Sequence, residues 1–240
     1  MTIMAGTFSD WIIGMKNVKG LEALALSFDS DKVKDMKRLR NSGLPVFDDF
    51  SIPLAEFNLS NEHLKGFMSK YHGFVVRAIP NTKSLPRRYK IGVHSFGECE
   101  DFLSKVVSKE DRHLYSVILT ELEPTKKSGV IICRGEGEAL IEISGGGLDK
   151  FSHGALNPRA VGEMHFGRMR YFRYANEGHP KEIMASDNPK DMDQRALIWR
   201  AFKCLKSALI YPLPGYFEFV VTETDKIRFV DFKTPEGYLK

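Results

Sequence analysis

The stretch from Gly215 to Thr234, GYFEFVVTETDKIRFVDFKT, constrains this chain most tightly. Two runs rich in aromatic and β-branched residues flank a polar break at Glu223 to Lys226, the pattern of a β-hairpin. A two-residue turn at Thr224 and Asp225 puts Glu223 opposite Lys226, and counting outward puts Glu218 opposite Asp231. Side chains alternate along a strand, so Lys233 shares a face with Asp231. Two carboxylates facing each other in an otherwise apolar hairpin repel, and burying them unpaired is costly. A hard cation such as Mg²⁺ held between them removes that cost. A different loop length shifts the register and gives Glu218 another neighbour, in which case the acids are ordinary residues of half-exposed strands.

The chain has 240 residues, enough for one large domain or two lobes around a substantial core. Hydrophobic content of 42% and charged content of 28% exclude a disordered chain. A net charge of +4, with bases scattered among acids, suits an anionic small molecule at least as well as nucleic acid. Cys99, Cys133 and Cys204 are far apart and show no C-x-x-C spacing, so neither a zinc site nor a disulfide framework is expected. No apolar run reaches the length of a membrane span and no signal-peptide pattern opens the chain, so a cytoplasmic location without membrane contact is expected.

Read in order, Gly14 and Gly20 bracket Lys16 and Lys19 ahead of an apolar segment, a turn that can offer backbone N–H groups and an ammonium to phosphate. Taken alone, Lys19 reads first as a solvated surface lysine, ahead of a phosphate contact. Asp29 or Ser30 caps an expected helix carrying Val33, Met36 and Leu39, which Gly43 stops. A second short helix is expected between Ser60 as cap and Gly73 as terminator. GFVVRAIP reads as a strand ending near Arg77, a residue suited either to an ion pair or to a phosphate. NTKSLPRRYKIG reads as a polar loop bearing Lys83, Arg87, Arg88 and Lys90. FGECEDFLSKVVSKED has a helical period, and HLYSVILTELEP reads as a strand. SGVIICRGEGEALIEISGGG reads as two strands about a reversal at Arg134 to Glu138. The region from Ser152 to Pro180 is less regular, and His153, His165 and His179 are not spaced as metal ligands. A long helix over Gln194 to Leu209 leads into the closing hairpin.

Several of these segments, in this order, resemble the ATP-grasp nucleotide-binding region of phosphoenolpyruvate synthase and pyruvate, phosphate dikinase, a region shared by rifampicin phosphotransferases. MKNVKGLEAL followed by NSGLPVFDDFSI resembles the family's V-G-G-K-G-x-x-L opening and G-L-P-V-P-x-G-F turn. FVVRAIP resembles its V-A-V-R-S-S strand, and TELEPTKKSGV its Q-x-M-V…S-G-V. IEISGGGLDKFSHG is similar to I-E-x-x-x-G-L-G-E…G, and FEF…DFKTP to the closing I-E-W…Q-x-R-P. The likeness implies an α+β, two-lobed ATP-grasp fold with antiparallel sheets and nucleotide bound between the lobes, residues 1–119 forming one lobe and 120–240 the other.

Position by position, the resemblance implies that Lys19 and Arg77 contact ATP phosphates. Thr120, Glu121, Leu122 and Glu123 would form the hinge whose backbone meets adenine, and Glu218 and Asp231 would hold Mg²⁺. Lys233 stands where the family has arginine, and with Arg77 would act on the transferred phosphoryl group. Phosphoryl transfer is mostly positioning plus neutralisation of developing charge, which these residue types supply. The chain also departs from the family. AIPNTKSLPRRYK replaces the S-S-A-x-x-E-D and Gly-Gln loops, Asp231 replaces glutamine, and no T-C-H-A-like phosphohistidine segment or pyruvate-handling barrel is present in these residues. The expected function is therefore a Mg-ATP-dependent phosphotransferase or kinase acting on a small molecule or a phosphohistidine protein. The alternatives are an ATP-grasp ligase working through an acyl phosphate, or a non-catalytic nucleotide-binding regulatory module. Nucleic acid is not an expected partner, because no recognisable RNA or DNA module accompanies the basic segments.

Overall fold

Two antiparallel sheets, each with helical cover, organise the computed structural model, which describes residues 38–82, 85–145, 158–173, 181–184, 188–212 and 214–233. The protein is α+β, as expected. The described residues form two compact units, one spanning Phe47–Pro124 and the other comprising residues 38–46 with those from Thr125 onward. No described helix is long and apolar enough to cross a membrane.

The Phe47–Pro124 unit holds strands β1 (Asp49–Pro53), β2 (Phe74–Pro80), β3 (Arg88–Val93) and β4 (Tyr115–Glu121), in the sheet order β1-β4-β2-β3. Helices α1 (Glu62–Lys70) and α2 (Phe96–Val106) complete the unit. Leu64, Cys99 and Leu103 from the helices are buried with Val76, Ala78, Val117 and Leu119 from the sheet. Asn61 caps α1 by accepting the Leu64 N–H at 3.0 Å, so the cap is not Ser60, and the helix ends at Lys70 rather than at Gly73. Ser95 caps α2, and Glu98 reaches back to the His94 N–H at 2.9 Å. β3 takes up Arg88 to Gly92, the last part of the segment expected to be a polar loop. Its residues Arg88 to Ile91 are all exposed along a sheet edge, and their alternation of charged with apolar side chains is the strand signal that the neighbouring cations and Pro86 obscured.

The second unit holds β5 (Thr125–Gly135), β6 (Glu138–Ser144), β7 (Ala160–His165), β8 (Arg168–Arg173), β9 (Lys181–Glu182), helix α3 (Pro189–Lys206), β10 (Gly215–Thr222) and β11 (Ile227–Lys233). Its sheet order is β11-β10-β5-β6-β7-β8-β9. The less regular region contains the β7–β8 hairpin, whose tight turn sets Phe166 at φ 44° and Gly167 at φ 83°. Phenylalanine is a rare first residue for such a turn, and the usual Asn-Gly or Asp-Gly signal is absent.

One face of this sheet carries Ile131, Ile141, Tyr171, Phe217, Phe219, Phe229 and Phe232. They pack with the stripe Leu197, Ile198, Ala201, Phe202 and Leu205 of α3, spaced as neighbours on one side of a helix. Pro189 opens the helix after the Asn188 cap, ahead of the Gln194 start expected from the sequence. Its first turn is tied to β8 through buried Asp191, which meets Arg173 Nη1 at 3.1 Å and the Tyr171 hydroxyl at 3.2 Å. Two glycines permit the close packing. A Cβ on Gly162 would lie 2.6 Å from Ile198 Cγ2, and one on Gly129 would lie 2.3 Å from Phe219 Cζ and 2.7 Å from the Glu142 carbonyl.

Gly129→Ala should therefore force Phe219 from its place against the sheet and lower stability by about 1–3 kcal/mol, as overpacked cores do. Urea unfolding of the variant beside the wild type measures this, and an unchanged midpoint would contradict the packing described.

Candidate functional site

The closing hairpin brings Glu218 and Asp231 directly opposite each other, the register expected from the sequence, but by a different route. The loop has three residues, Glu223 to Asp225, closed by the Thr222 N–H on the Lys226 carbonyl at 2.9 Å, with Asp225 in the left-handed region at φ 63°. Glu223 therefore does not face Lys226. Val221 pairs with Ile227 and Phe219 with Phe229, one residue out of step with the expected count. A bulge at Val230 then restores the step, so that Glu218 meets Asp231 and Tyr216 meets Lys233. The bulge has a clear physical basis. Strict alternation from Phe229 would bury Asp231 among the phenylalanines and turn Phe232 outward; one extra residue sends each to its proper side.

The face opposite α3 carries two rows set by the strand registers. Asp231, Glu218, Val130, Glu142, Val161 and Phe172 form one row from β11 to β8. Lys233, Tyr216, Ile132 and Leu140 form the next. Both rows are largely buried: Asp231 is 6% exposed, Tyr216 5% and Glu142 1%, while Glu218 and Lys233 are half-buried. Glu218 and Asp231 occupy neighbouring strands, and Glu142 stands two strands beyond Glu218, about 10 Å away at ordinary strand spacing.

The Tyr216 hydroxyl donates to Glu218 Oε1 at 3.0 Å, and Lys233 Nζ lies 5.9 Å from the Tyr216 ring centroid. Burial, and then the negative charges of Glu218, Asp231 and Glu142, hold the Tyr216 phenol far above its ordinary pKa, so it remains a donor. Asp231 Oδ1 accepts the Phe232 N–H at 2.9 Å, which orients its carboxylate. Neither Tyr216 nor Glu142 was singled out from sequence. A usable signal for each existed: Tyr216 precedes Glu218 by the two residues that keep side chains on one face, and Glu142 interrupts the apolar run ALIEI.

Arg77 and Thr120 come together in the other unit. Arg77 Nη1 donates to Thr120 Oγ1 at 2.7 Å across β2 and β4, with Thr120 4% exposed. The backbone after Thr120 is fixed within the unit, because the Glu121 N–H donates to the Asp48 carbonyl and the Leu122 N–H to the Gly73 carbonyl, both at 2.9 Å. Glu121 Oε2 accepts the Asp48 N–H at 3.1 Å, so this side chain braces β1, and Glu123 is half-buried beyond it. Lys19 lies outside the described residues, as does Lys83 of the basic segment.

The donor set at the hairpin is all oxygen, which suits a hard cation rather than zinc or copper. Among the described residues no group of three or more His, Cys, Asp or Glu is arranged to hold a metal ion. A cation at Glu218 and Asp231 would thus complete its shell with phosphate oxygens and water, the usual habit of Mg²⁺.

No protein-family model matches this chain, and no curated protein matches it. Among solved structures it is similar to the D-alanine-D-alanine ligase of Coxiella burnetii, at 13% identity over 91% of this chain and 50% of that one, with a TM-score of 0.44. It is also similar to the N5-carboxyaminoimidazole synthase of Aspergillus clavatus, solved with ADP, at 12% identity over 96% and 51% and a TM-score of 0.47. The D-alanine-D-alanine ligase of Helicobacter pylori gives 16% identity over 91% and 57%, with a TM-score of 0.43. The chain spans about half the length of these proteins. Those named are ligases and a synthase, not phosphoenolpyruvate synthases.

Thr120→Val removes the acceptor of a charge-assisted hydrogen bond and should cost about 1.5–3 kcal/mol. Chemical denaturation reads that cost, and a variant as stable as the wild type would show that the Arg77–Thr120 bond contributes nothing in solution.

Proposed function

We propose that this chain binds Mg-ATP in the manner of an ATP-grasp enzyme and transfers its γ-phosphoryl group to an oxygen nucleophile. The observation that carries the proposal is the pairing of Glu218 with Asp231 on neighbouring strands of a largely buried face. Two like charges held side by side there repel, and an oxygen-seeking cation converts that repulsion into binding. When bound, Mg²⁺ supplies neutralisation of the phosphate oxygens as charge develops on them. Glu218 and Asp231 hold it, Tyr216 orients Glu218, and Lys233 offers a point charge on the same face. Arg77, oriented by Thr120, is the proposed phosphate contact of the other unit. The backbone of Thr120 to Glu123 is proposed to meet the base, with Lys19 as a further phosphate contact.

For the acceptor, we place a carboxylate first: transfer to a carboxylate oxygen gives an acyl phosphate, which an amine or other nucleophile then displaces, the chemistry of a ligase. The second reading, a phosphotransferase, is favoured by the order of sequence motifs. Two of those motifs, the one around Lys19 and the one from Ile141 to Gly154, fall wholly or mainly outside the described residues.

Isothermal titration of ATP with and without Mg²⁺ tests the binding step. The wild type should show metal-dependent affinity, and the Glu218→Gln, Asp231→Asn double variant should bind at least tenfold more weakly, a loss of about 1.4 kcal/mol or more. Equal metal-dependent affinity in the two proteins would sink the assignment. Incubation with carboxylates and amines then separates the acceptors: amide with ADP and phosphate marks a ligase, a phosphorylated acceptor marks a phosphotransferase, and binding without turnover marks a regulatory module.

A further inference from the structure

Arg228 shares the carboxylate face, yet neither Glu218 nor Asp231 neutralises it. It pairs with Val220 across β11 and β10, and Val220 stands two residues from Glu218 on the same side of the strand. Arg228, Val220, Ser128 and Ser144 thus form a third row, beside the row of Asp231, Glu218, Val130 and Glu142. The two rows are about 7 Å apart, the rise of two residues of strand. Val220, Ser128 and Ser144 are buried and Arg228 is half-buried. The Arg228 Nε–H is closed off from solvent without a hydrogen-bond partner, and among the described residues no carboxylate forms an ion pair with the guanidinium. Arginine stays charged at any working pH, and its planar fork of N–H donors matches the oxygens of a phosphate. Enclosing one of those donors with no acceptor is costly, and an anion brought by a ligand removes the cost.

The order of the rows selects the anion. From its start at Thr125, β5 reaches Ser128 of the Arg228 row first and Val130 of the acid row second. The Arg228 row therefore falls on the Thr125 side of the acids. The Mg-ATP reading above puts the metal, which bridges the β- and γ-phosphates, at the acid row, and puts the base at the backbone that leads into Thr125. The anionic group between those two ends of ATP is the α-phosphate. We infer that Arg228 binds the α-phosphate of the nucleotide through its Nε–H and its charge. The inference rests on the Mg-ATP reading and adds a contact that does not pass through the metal, so AMP shares it with ATP while adenosine does not.

The test is displacement calorimetry, with AMP and adenosine competing against Mg-ATP for the wild type, Arg228→Met and the Glu218→Gln, Asp231→Asn double variant. Methionine keeps an unbranched stem and removes the guanidinium. The wild type should bind AMP more tightly than adenosine. Arg228→Met should shrink that advantage about tenfold, the change expected for loss of a charge-assisted hydrogen bond, and leave adenosine unchanged. The double variant should weaken Mg-ATP and keep the AMP advantage. Should Arg228→Met give no folded protein, Arg228→Lys, which keeps the charge and loses the Nε–H, should narrow the same ratio about threefold. A wild type without preference for AMP, or an arginine variant with the wild-type ratio, overturns the role of Arg228 and leaves the metal site standing. If the double variant binds Mg-ATP as the wild type does, the metal assignment falls, and the AMP comparison decides Arg228 separately. A wild type that binds no Mg-ATP removes both.

Discussion

The seven-stranded sheet must bury two faces of opposite character, and β11 is where those demands collide. Phe229 and Phe232 both belong against α3, yet they are three residues apart, and a regular strand would send them to opposite sides. The bulge at Val230 resolves the conflict by inserting one residue between them. The same insertion moves Asp231 to the far face, opposite Glu218. The packing of the aromatic core and the meeting of the two carboxylates are therefore one event: a chain that seats both phenylalanines has placed the acids together.

That coupling explains why the two faces can differ so much in chemistry. On the α3 side, aromatic rings stack closely, with Phe217 and Phe232 centroids 4.6 Å apart, and glycines at 129 and 162 let the layers approach. Such a layer has little freedom to shift, because interiors are packed to crystal-like density. On the other side, two largely buried rows set acids and Tyr216 among apolar residues, and Tyr216, Asp231 and Glu142 are held there at the expense of their hydration. A rigid apolar layer behind a costly polar one is how side chains are kept in place for a ligand, and the Tyr216–Glu218 bond shows that at least one carboxylate oxygen is directed rather than left to rotate.

Much of the architecture was legible in the sequence because it rests on signals that local chemistry writes strongly. The strands at Phe74–Pro80, Tyr115–Glu121, Thr125–Gly135 and Glu138–Ser144 are rich in buried apolar residues, and the closing hairpin announces itself by its polar break. β3 was hidden because Pro86 and the cations around it read as a polar loop, although Tyr89 and Ile91 alternate with Arg88 and Lys90, and β7 and β8 because a Phe-Gly turn lacks the usual residues. The Glu218–Asp231 pairing was reached by a count in which two errors cancelled: a three-residue loop read as two, and a bulge not foreseen. No local pattern encodes that bulge. It follows from the tertiary requirement that Phe229 and Phe232 share a side, which only the packed sheet reveals. Glu142 and Tyr216 were missed for a related reason, since their meaning depends on which strands become neighbours.

The most direct measurement is a crystal structure of the protein with Mg²⁺ and a non-hydrolysable ATP analogue. The cation should lie about 2.0–2.1 Å from one oxygen of Glu218 and from an oxygen of Asp231, with phosphate and water completing its shell. An ordered Mg-nucleotide coordinated by neither carboxylate would contradict the role given to the hairpin.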